Sequence, residues 1–418
     1  MMLWVAGGSL LAQTLDEVTG VDNIQTDGYV IVSTECRSLP GAEWMDTQLA
    51  YCHRQVRRSL DQLHDAAGRI DYTMTPRCVE AGTERWTLRS VKTPEEWCAG
   101  FFPGILWMDG DTVEARRFTQ ELEYLAYSPV YDHDLGFIMI GSFLKGYEVT
   151  RDPHYREVLL AAADSLATLF NPRVGTLLSW PRNVGKFGGH NTIMDNMINL
   201  ELLFWADVQR GGGKPAGGRL YQMAVSHADT TMRYQFRPDH TISHVAVYDP
   251  LTGRHLYNCT HQGFGDNTLW SRGQAWAIYG YTMTYRYTRE PRFLAFAQQV
   301  TDAYLSRLPS DRIPWWDMGD PMIPHSFRDA SAAAVVASAL AELAQYVDEA
   351  TARRYLAEAE AMLLTLSSPD YQSRDVNPAF LLHSVGNMPA GTEVDVSINY
   401  ADYYYLEALK RMKKSNHS

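Results

Sequence analysis

Twelve stretches of helical periodicity follow one another along this chain, and they alternate between two kinds. They lie near 44–65, 99–109, 112–127, 131–149, 153–170, 191–208, 218–236, 268–288, 290–308, 329–347, 350–367 and 397–413. The first, third, fifth, ninth and eleventh are amphipathic, with charges such as Arg57-Arg58, Arg116-Arg117 and Arg353-Arg354 on one side. The fourth, sixth, eighth, tenth and twelfth are apolar or small almost all round, as in Ser331 to Leu340. A helix with one polar face lies at a surface, whereas a helix without one must be enclosed. That alternation is what six helical hairpins closed into a ring require, one helix of each pair inside and its partner outside. The predicted architecture is therefore an (α/α)6 barrel. An open helical solenoid is the alternative, and no clear sequence period supports it.

Breakers fall between the segments, at Asp152-Pro153, Gly211-Gly212-Gly213 with Pro215, Glu290-Pro291 and the proline-rich run Pro309 to Pro324. One stretch departs from the helical pattern. His240 to Tyr248 alternates as a strand, Asp249-Pro250-Leu251-Thr252-Gly253 turns, and Arg254 to Thr260 returns, which predicts one small β-hairpin. No linker interrupts the series, so residues 41–418 are expected to form one catalytic barrel domain behind an N-terminal extension, 1–40. The apolar run Met1 to Ala12 lacks a basic n-region and is too short to span a bilayer, which leaves a trimmed export signal or a frayed terminus. Five cysteines, Cys36, Cys52, Cys78, Cys98 and Cys259, have neither metal-ligand spacing nor an even count, and read mainly as free thiols.

The 37 Lys+Arg against 49 Asp+Glu give a net charge of −12 with no basic block, which argues against a nucleic-acid surface. An anionic ligand would need a local cationic pocket to overcome that field. Twenty-four Tyr and eleven Trp supply many flat amphipathic rings, suited to sugar faces as well as to cores.

The segment from Asn191 to Asp207 reads as a helix apolar on nearly every face, yet it carries Asp195 between Ile193-Met194 and Met197-Ile198. A buried carboxylate costs several kcal/mol unless it is paired, hydrogen-bonded or protonated. Asp195 is thus either a helix cap or an acid kept for chemistry. In a barrel the inner helices run parallel, so their N-terminal ends meet at one mouth. Trp97, His133-Asp134, Asp195, His261-Gln262, Trp270, Arg272, Gln274, Trp276 and Arg328-Asp329 all collect there. Singly, Asp134, Asp195 and Asp329 read as helix starts and Trp276 as core. Together, carboxylates, an arginine, histidines and tryptophans at one end suggest carbohydrate chemistry. Arg272, a planar bidentate donor, suits a sugar carboxylate. No Mg²⁺ or Zn²⁺ motif and no phosphate loop is present, so neither metal nor cofactor is expected.

These residues resemble a known family. His133-Asp134-Leu135-Gly136-Phe137, Met194-Asp195 followed by Asn199-Leu200 and Leu203-Phe204-Trp205-Ala206, Thr260-His261-Gln262-Gly263, Trp270-Ser271-Arg272-Gly273-Gln274-Ala275-Trp276 and Asp402 to Leu409 are similar to the unsaturated glucuronyl hydrolases of glycoside hydrolase family 88. The likeness runs from about Trp97 to the C-terminus, and the first ninety residues match only loosely. It implies an (α/α)6 barrel, no metal, and hydrolysis of oligosaccharides that end in a Δ4,5-unsaturated uronic acid. Carried over, Asp195 matches the acid/base and Asp134 the second essential carboxylate. Trp97, His133, His244, Gln262, Arg272 and Trp276 match residues lining the sugar site. Gly211 to Gly218 looks like an insertion, and Met194 stands where Ile is usual, a volume-preserving change.

The chemistry the resemblance implies explains why one aspartate is special. The C4=C5 bond is an enol ether; protonating C4 leaves positive charge on C5, water adds there, and the hemiketal opens. One residue can be acid toward C4 and then base toward water. Asp195 must then hold a proton when substrate arrives, which an apolar wall and Asp134 favour and the helix dipole opposes. Rival readings are an unsaturated rhamnogalacturonyl hydrolase, a polysaccharide lyase of the same barrel, and a non-catalytic helical binding protein. The only partner expected is the oligosaccharide, with no nucleic acid and no membrane. Oligomeric state is undetermined, and the expected compartment is periplasm or cytoplasm, leaning periplasmic.

Overall fold

The computed structural model describes residues 23–26, 29–32 and 41–415, and the chain divides into two units after Gly41. In the first unit β1, Asn23–Thr26, pairs antiparallel with β2, Tyr29–Val32. The run Met1 to Ala12 and Cys36 lie outside the described residues.

The second unit is a ring of helical pairs. Its outer helices are α1 (Ala42–Leu63), α3 (Thr112–Gln120), α5 (Pro153–Ala167), α7 (Arg219–Tyr234), α9 (Pro291–Leu305) and α11 (Glu349–Leu366). Its inner helices are α2 (Phe101–Asp109), α4, α6 (Asn196–Arg210), α8 (Ser271–Thr288), α10 (Ala330–Leu343) and α12 (Asn399–Ser415). Helix α4 comprises Leu135–Met139, a π turn at Ile140–Leu144 and Lys145–Thr150. Each inner helix packs on the next, and α12 returns to α2, so the ring closes as an (α/α)6 barrel.

Local sequence explains the ends. Asp152 caps α5 by accepting from the His154 amide, with Pro153 in the first turn, where its missing N–H costs nothing. Asp348 caps α11 through the Ala350 and Thr351 amides. All of α10 is buried, and its run of Ala and Ser lets neighbouring helices approach closely. At the α2–α4 crossing the backbones nearly touch: a Cβ on Gly100 would lie 2.3 Å from the Ile138 carbonyl oxygen, so only glycine fits. That approach seats Trp97 against Phe137 of α4, ring centres 5.5 Å apart.

The sixth predicted helix is corrected at its start. Residues His190–Ile193 form a strand, β3, and α6 begins only at Asn196. Asn191-Thr192-Ile193 carries two β-branched residues, and an adjacent strand supplies ladder partners that a fully apolar helical reading could not foresee. That neighbour is β4 (Val245–Tyr248), which also pairs with β5 (His255–Cys259), so the predicted hairpin supplies the central strand and one edge of a three-stranded antiparallel sheet. The predicted third segment breaks after Gln120 and resumes at Tyr124–Tyr127. A second small sheet, Met74–Val79, Thr87–Ser90 and Ser397–Ile398, ties the start of the unit to its last helix. Cys52, Cys78 and Cys98 are buried and unbonded, and Cys259 is half-buried and unbonded.

Charges close the ring at the C-terminal ends of the inner helices. Glu407 accepts from Ser338 Oγ at 2.8 Å and Tyr279 Oη at 3.0 Å, and lies 3.4 Å from Lys145. Arg286 pairs with Glu201 at 2.7 Å, and Arg411 with Glu342 at 3.1 Å. Burial alone would raise Glu407, but Arg411 and Lys145 hold it down at about 2.

Candidate active site

Asp195 sits between β3 and α6, and it does not cap the helix, since its side chain accepts no backbone N–H. Register puts it in place. Ile193 pairs with Val245, and the Met194 amide then donates to the His244 carbonyl at 3.1 Å. One residue on, Asp195 Oδ2 faces His244 Nε2 at 3.6 Å. His244 Nδ1 accepts the backbone N–H groups of His261 and Gln262, each at 3.2 Å. The imidazole proton therefore belongs on Nε2, toward the carboxylate.

Asp134 repeats the arrangement across the mouth. It too starts a helix without capping it, and its Oδ1 lies 3.5 Å from His133 Nε2. His133 Nδ1 meets Asn199 Nδ2 at 2.8 Å. Burial pushes the His133 imidazole down to about 4, so the ring is neutral near pH 7. Each acid thus faces an imidazole whose other nitrogen is already held.

The two carboxyls differ in charge preference. Burial, then the Asp132 and Asp195 carboxylates, push Asp134 well above the ordinary value. Burial also pushes Asp195 up, but the facing His244, then His133 and Arg272, outweigh it and leave Asp195 below the ordinary value. The surroundings therefore favour the protonated form more at Asp134 than at Asp195, the reverse of the bias expected from an apolar wall. The expectation lacked the imidazole that the strand register delivers.

The remaining predicted residues divide. Trp97 lines a cleft of about 660 Å³ with Arg77, Arg89, Glu96, Thr392 and Glu393. Gln262 donates Nε2 to the Gly386 carbonyl at 3.2 Å. Arg272 is only 1% exposed and is spent on the protein: Nη1 donates to Asp329 Oδ2 at 3.1 Å and to the Val385 carbonyl, Nη2 to the Gly386 carbonyl at 2.6 Å. Trp270 and Tyr400 flank its guanidinium. The expected fork for a sugar carboxylate instead holds the 383–393 loop. Asp329 is a true cap, accepting from Ser331 N at 3.1 Å. Trp276 is 0% exposed between Phe137 and Tyr404, so it offers no face to a sugar and belongs to the core beneath the site.

Sequence reasoning passed over Trp180. Its ring touches His133, His244 and His261 edge-on, with centres 6.2, 6.2 and 5.1 Å away, and so spans both acids. Asn191 holds it by accepting the Trp180 amide at 3.0 Å and donating to its carbonyl at 3.1 Å. A tryptophan in a short loop gives no periodic signal. Also missed was Asp132, which takes the Asp134 amide at 2.9 Å and Arg182 at 2.5 Å. Among the described residues no cluster of His, Cys, Asp and Glu is arranged to hold a metal, and no helix is long and apolar enough to cross a membrane.

A closed helical barrel with two buried aspartates at its mouth and aromatic walls around them defines a glycoside hydrolase of the (α/α)6 type. The relatives specify which. An unsaturated glucuronyl hydrolase of Formosa agariphila is 44% identical over 76% of this chain and 80% of that protein. An unsaturated chondroitin disaccharide hydrolase of Streptococcus pyogenes serotype M1 is 32% identical over 76% and 82%. The crystal structure of an unsaturated glucuronyl hydrolase specific for heparin superposes with TM-score 0.81 at 36% identity, covering 90% of this chain and 99% of that one. That of the glycosaminoglycan-degrading enzyme of Bacillus sp. GL1 gives 0.80 at 28% identity, covering 89% and 97%. No protein-family model matches the chain. The chain belongs to the unsaturated glucuronyl hydrolases, glycoside hydrolase family 88.

Proposed function

We propose that this enzyme removes the Δ4,5-unsaturated uronic acid from the non-reducing end of glycosaminoglycan oligosaccharides produced by lyases, with Asp195 as acid and base. The observation that carries the reading is the buried Asp195–His244 contact facing Asp134 across the mouth. An incoming uronate brings a negative charge beside the pair, which raises both carboxyls and draws a second proton onto Asp195. Asp195 gives that proton to C4, and the ring oxygen shares the cation left at C5. Water attacks C5 and returns a proton to the Asp195 carboxylate. The C5 hemiketal opens by releasing the ring oxygen from C5, C1 becomes an open-chain hemiacetal, and the neighbouring sugar leaves as its alcohol. Asp134 stays protonated and holds sugar hydroxyls, and Trp180 and Trp97 wall the ring.

Incubation with unsaturated disaccharides from chondroitin, hyaluronan and heparin tests the reaction. Wild-type enzyme should erase the ultraviolet absorbance of the C4=C5 bond, and Asp195→Asn should lose that activity by at least about 10³-fold. Growth of absorbance on an intact polysaccharide would mean lyase chemistry, and turnover of pectin-derived fragments alone would mean the rhamnogalacturonyl substrate.

A further inference from the structure

A chain of net charge −12 that takes an anionic sugar must place a cation at its mouth, and the three arginines that act on the two acids are already matched. Arg272 is buried against Asp329. Arg77 is held by Glu96 at 2.7 Å and Glu393 at 2.5 Å. Arg182 is paired with Asp132 and stacked over Tyr131. Lys186 differs. It lies exposed on the short helix Val184–Phe187, and its ammonium meets a neutral group, His261 Nδ1, at 3.2 Å. Among the described residues no carboxylate pairs with it. Burial, then His244 and Lys186, push His261 down to about 4, so this partner brings no charge of its own near pH 7.

We infer that Lys186 is an anion subsite for a sulfate ester carried by the substrate, with His261 as the positioning residue that holds the ammonium over the mouth. The inference rests on the proposed reaction. Geometry separates sulfate from the uronate carboxylate that every substrate carries. The uronate hangs from C5, the carbon bonded to the one Asp195 protonates, so it must lie beside Asp195. Lys186 is two side chains away from that point: Asp195 faces His244, the His244 and His261 rings are 6.4 Å apart, and Lys186 lies beyond His261. Trp180 and Phe187 are nearly parallel with centres 6.1 Å apart, and the Lys186 ammonium lies 5.5 Å from the Phe187 ring centre. The ammonium can leave the imidazole for a sulfate oxygen without breaking an ion pair, so little is lost on binding.

The test compares kcat/KM on unsulfated, uronate-2-sulfated and neighbour-6-sulfated unsaturated disaccharides for wild type, Lys186→Gln and Lys186→Arg. At an exposed position neither change threatens the fold. Lys186→Gln should cut the preference for one sulfated substrate over the unsulfated one by about tenfold or more, and Lys186→Arg should keep it. Which sulfated substrate responds identifies the sugar that carries the ester. The wild-type preference should also shrink as NaCl is raised, because the lysine is exposed. Equal loss on all three substrates would assign Lys186 to the uronate, and no loss, or a wild type that refuses every sulfated substrate, would leave it without the role; each overturns the inference. A wild type inert on all unsaturated disaccharides is a separate result, the failure of the proposed reaction.

Discussion

His244 Nε2 stands 3.6 Å from Asp195 Oδ2 because the β3–β4 pairing runs on past its last ladder partners, Ile193 and Val245. Through that contact Asp195 is lowered, while burial, then the Asp132 and Asp195 carboxylates, raise Asp134. A backbone register therefore supplies the largest influence that lowers Asp195.

Removing the imidazole should move the pH profile. If protonated Asp195 delivers the proton, kcat/KM falls as pH rises through its ionisation. His244→Phe removes the largest influence that lowers Asp195, so its carboxyl rises and the falling limb shifts to higher pH, whatever happens to the height of the curve. A limb that stays in place would show that this contact does not control the acid.

Asp134→Asn should trade activity for stability. A carboxyl raised in the folded state takes up its proton more readily there than in the unfolded chain, so it costs stability above the unfolded value near 4. Asparagine carries no such cost. The variant should melt higher than wild type at pH 7, with the advantage fading toward pH 4, while kcat/KM drops by about 10²-fold or more. Thermal unfolding followed by circular dichroism at the two pH values, beside the absorbance assay, measures both.

Arg272 is predicted to act through the loop it anchors. Arg272→Lys keeps the charge but cannot reach Asp329 and the Val385 and Gly386 carbonyls together. Breaking a buried pair of this kind costs about 3–5 kcal/mol, so the melting temperature should fall clearly and KM should rise as the 383–393 loop loosens. Protease sensitivity of that loop distinguishes a released loop from a lost direct contact to sugar.

The two tryptophans should separate cleanly. Trp180→Ala removes a ring that spans both acids and should raise KM by about tenfold or more. Trp276→Phe repacks a core position and should lower stability by about 1–3 kcal/mol while leaving KM close to wild type. A large KM effect from Trp276→Phe would mean that its indole reaches the substrate.

The alternation of amphipathic and all-apolar segments pointed to paired inner and outer helices, because burial of an apolar helix has few solutions and its period is written in one dimension; the family resemblance favoured the closed ring over an open solenoid. Asp195 stood out for the same reason, a charge where a chain should be greasy, whereas Asp134 stood out only with the other polar residues at the inner-helix starts and through the family resemblance. The roles of Arg272 and Trp276 were not legible, since a motif shows that a residue is present and not which of its donors or faces the protein has already used. Trp180, Lys186 and the strand at His190–Ile193 escaped because each depends on a neighbour distant in sequence.

By itself, then, the amino-acid order determined the barrel, the mouth where the inner helices begin, and the two acids there. Only the tertiary structure showed which way each carboxyl is pushed and that Arg272 and Trp276 are already engaged by the protein. Ionisation follows from distances of a few ångströms between groups that meet across the fold, and such distances are set by register and packing rather than by spacing along the chain.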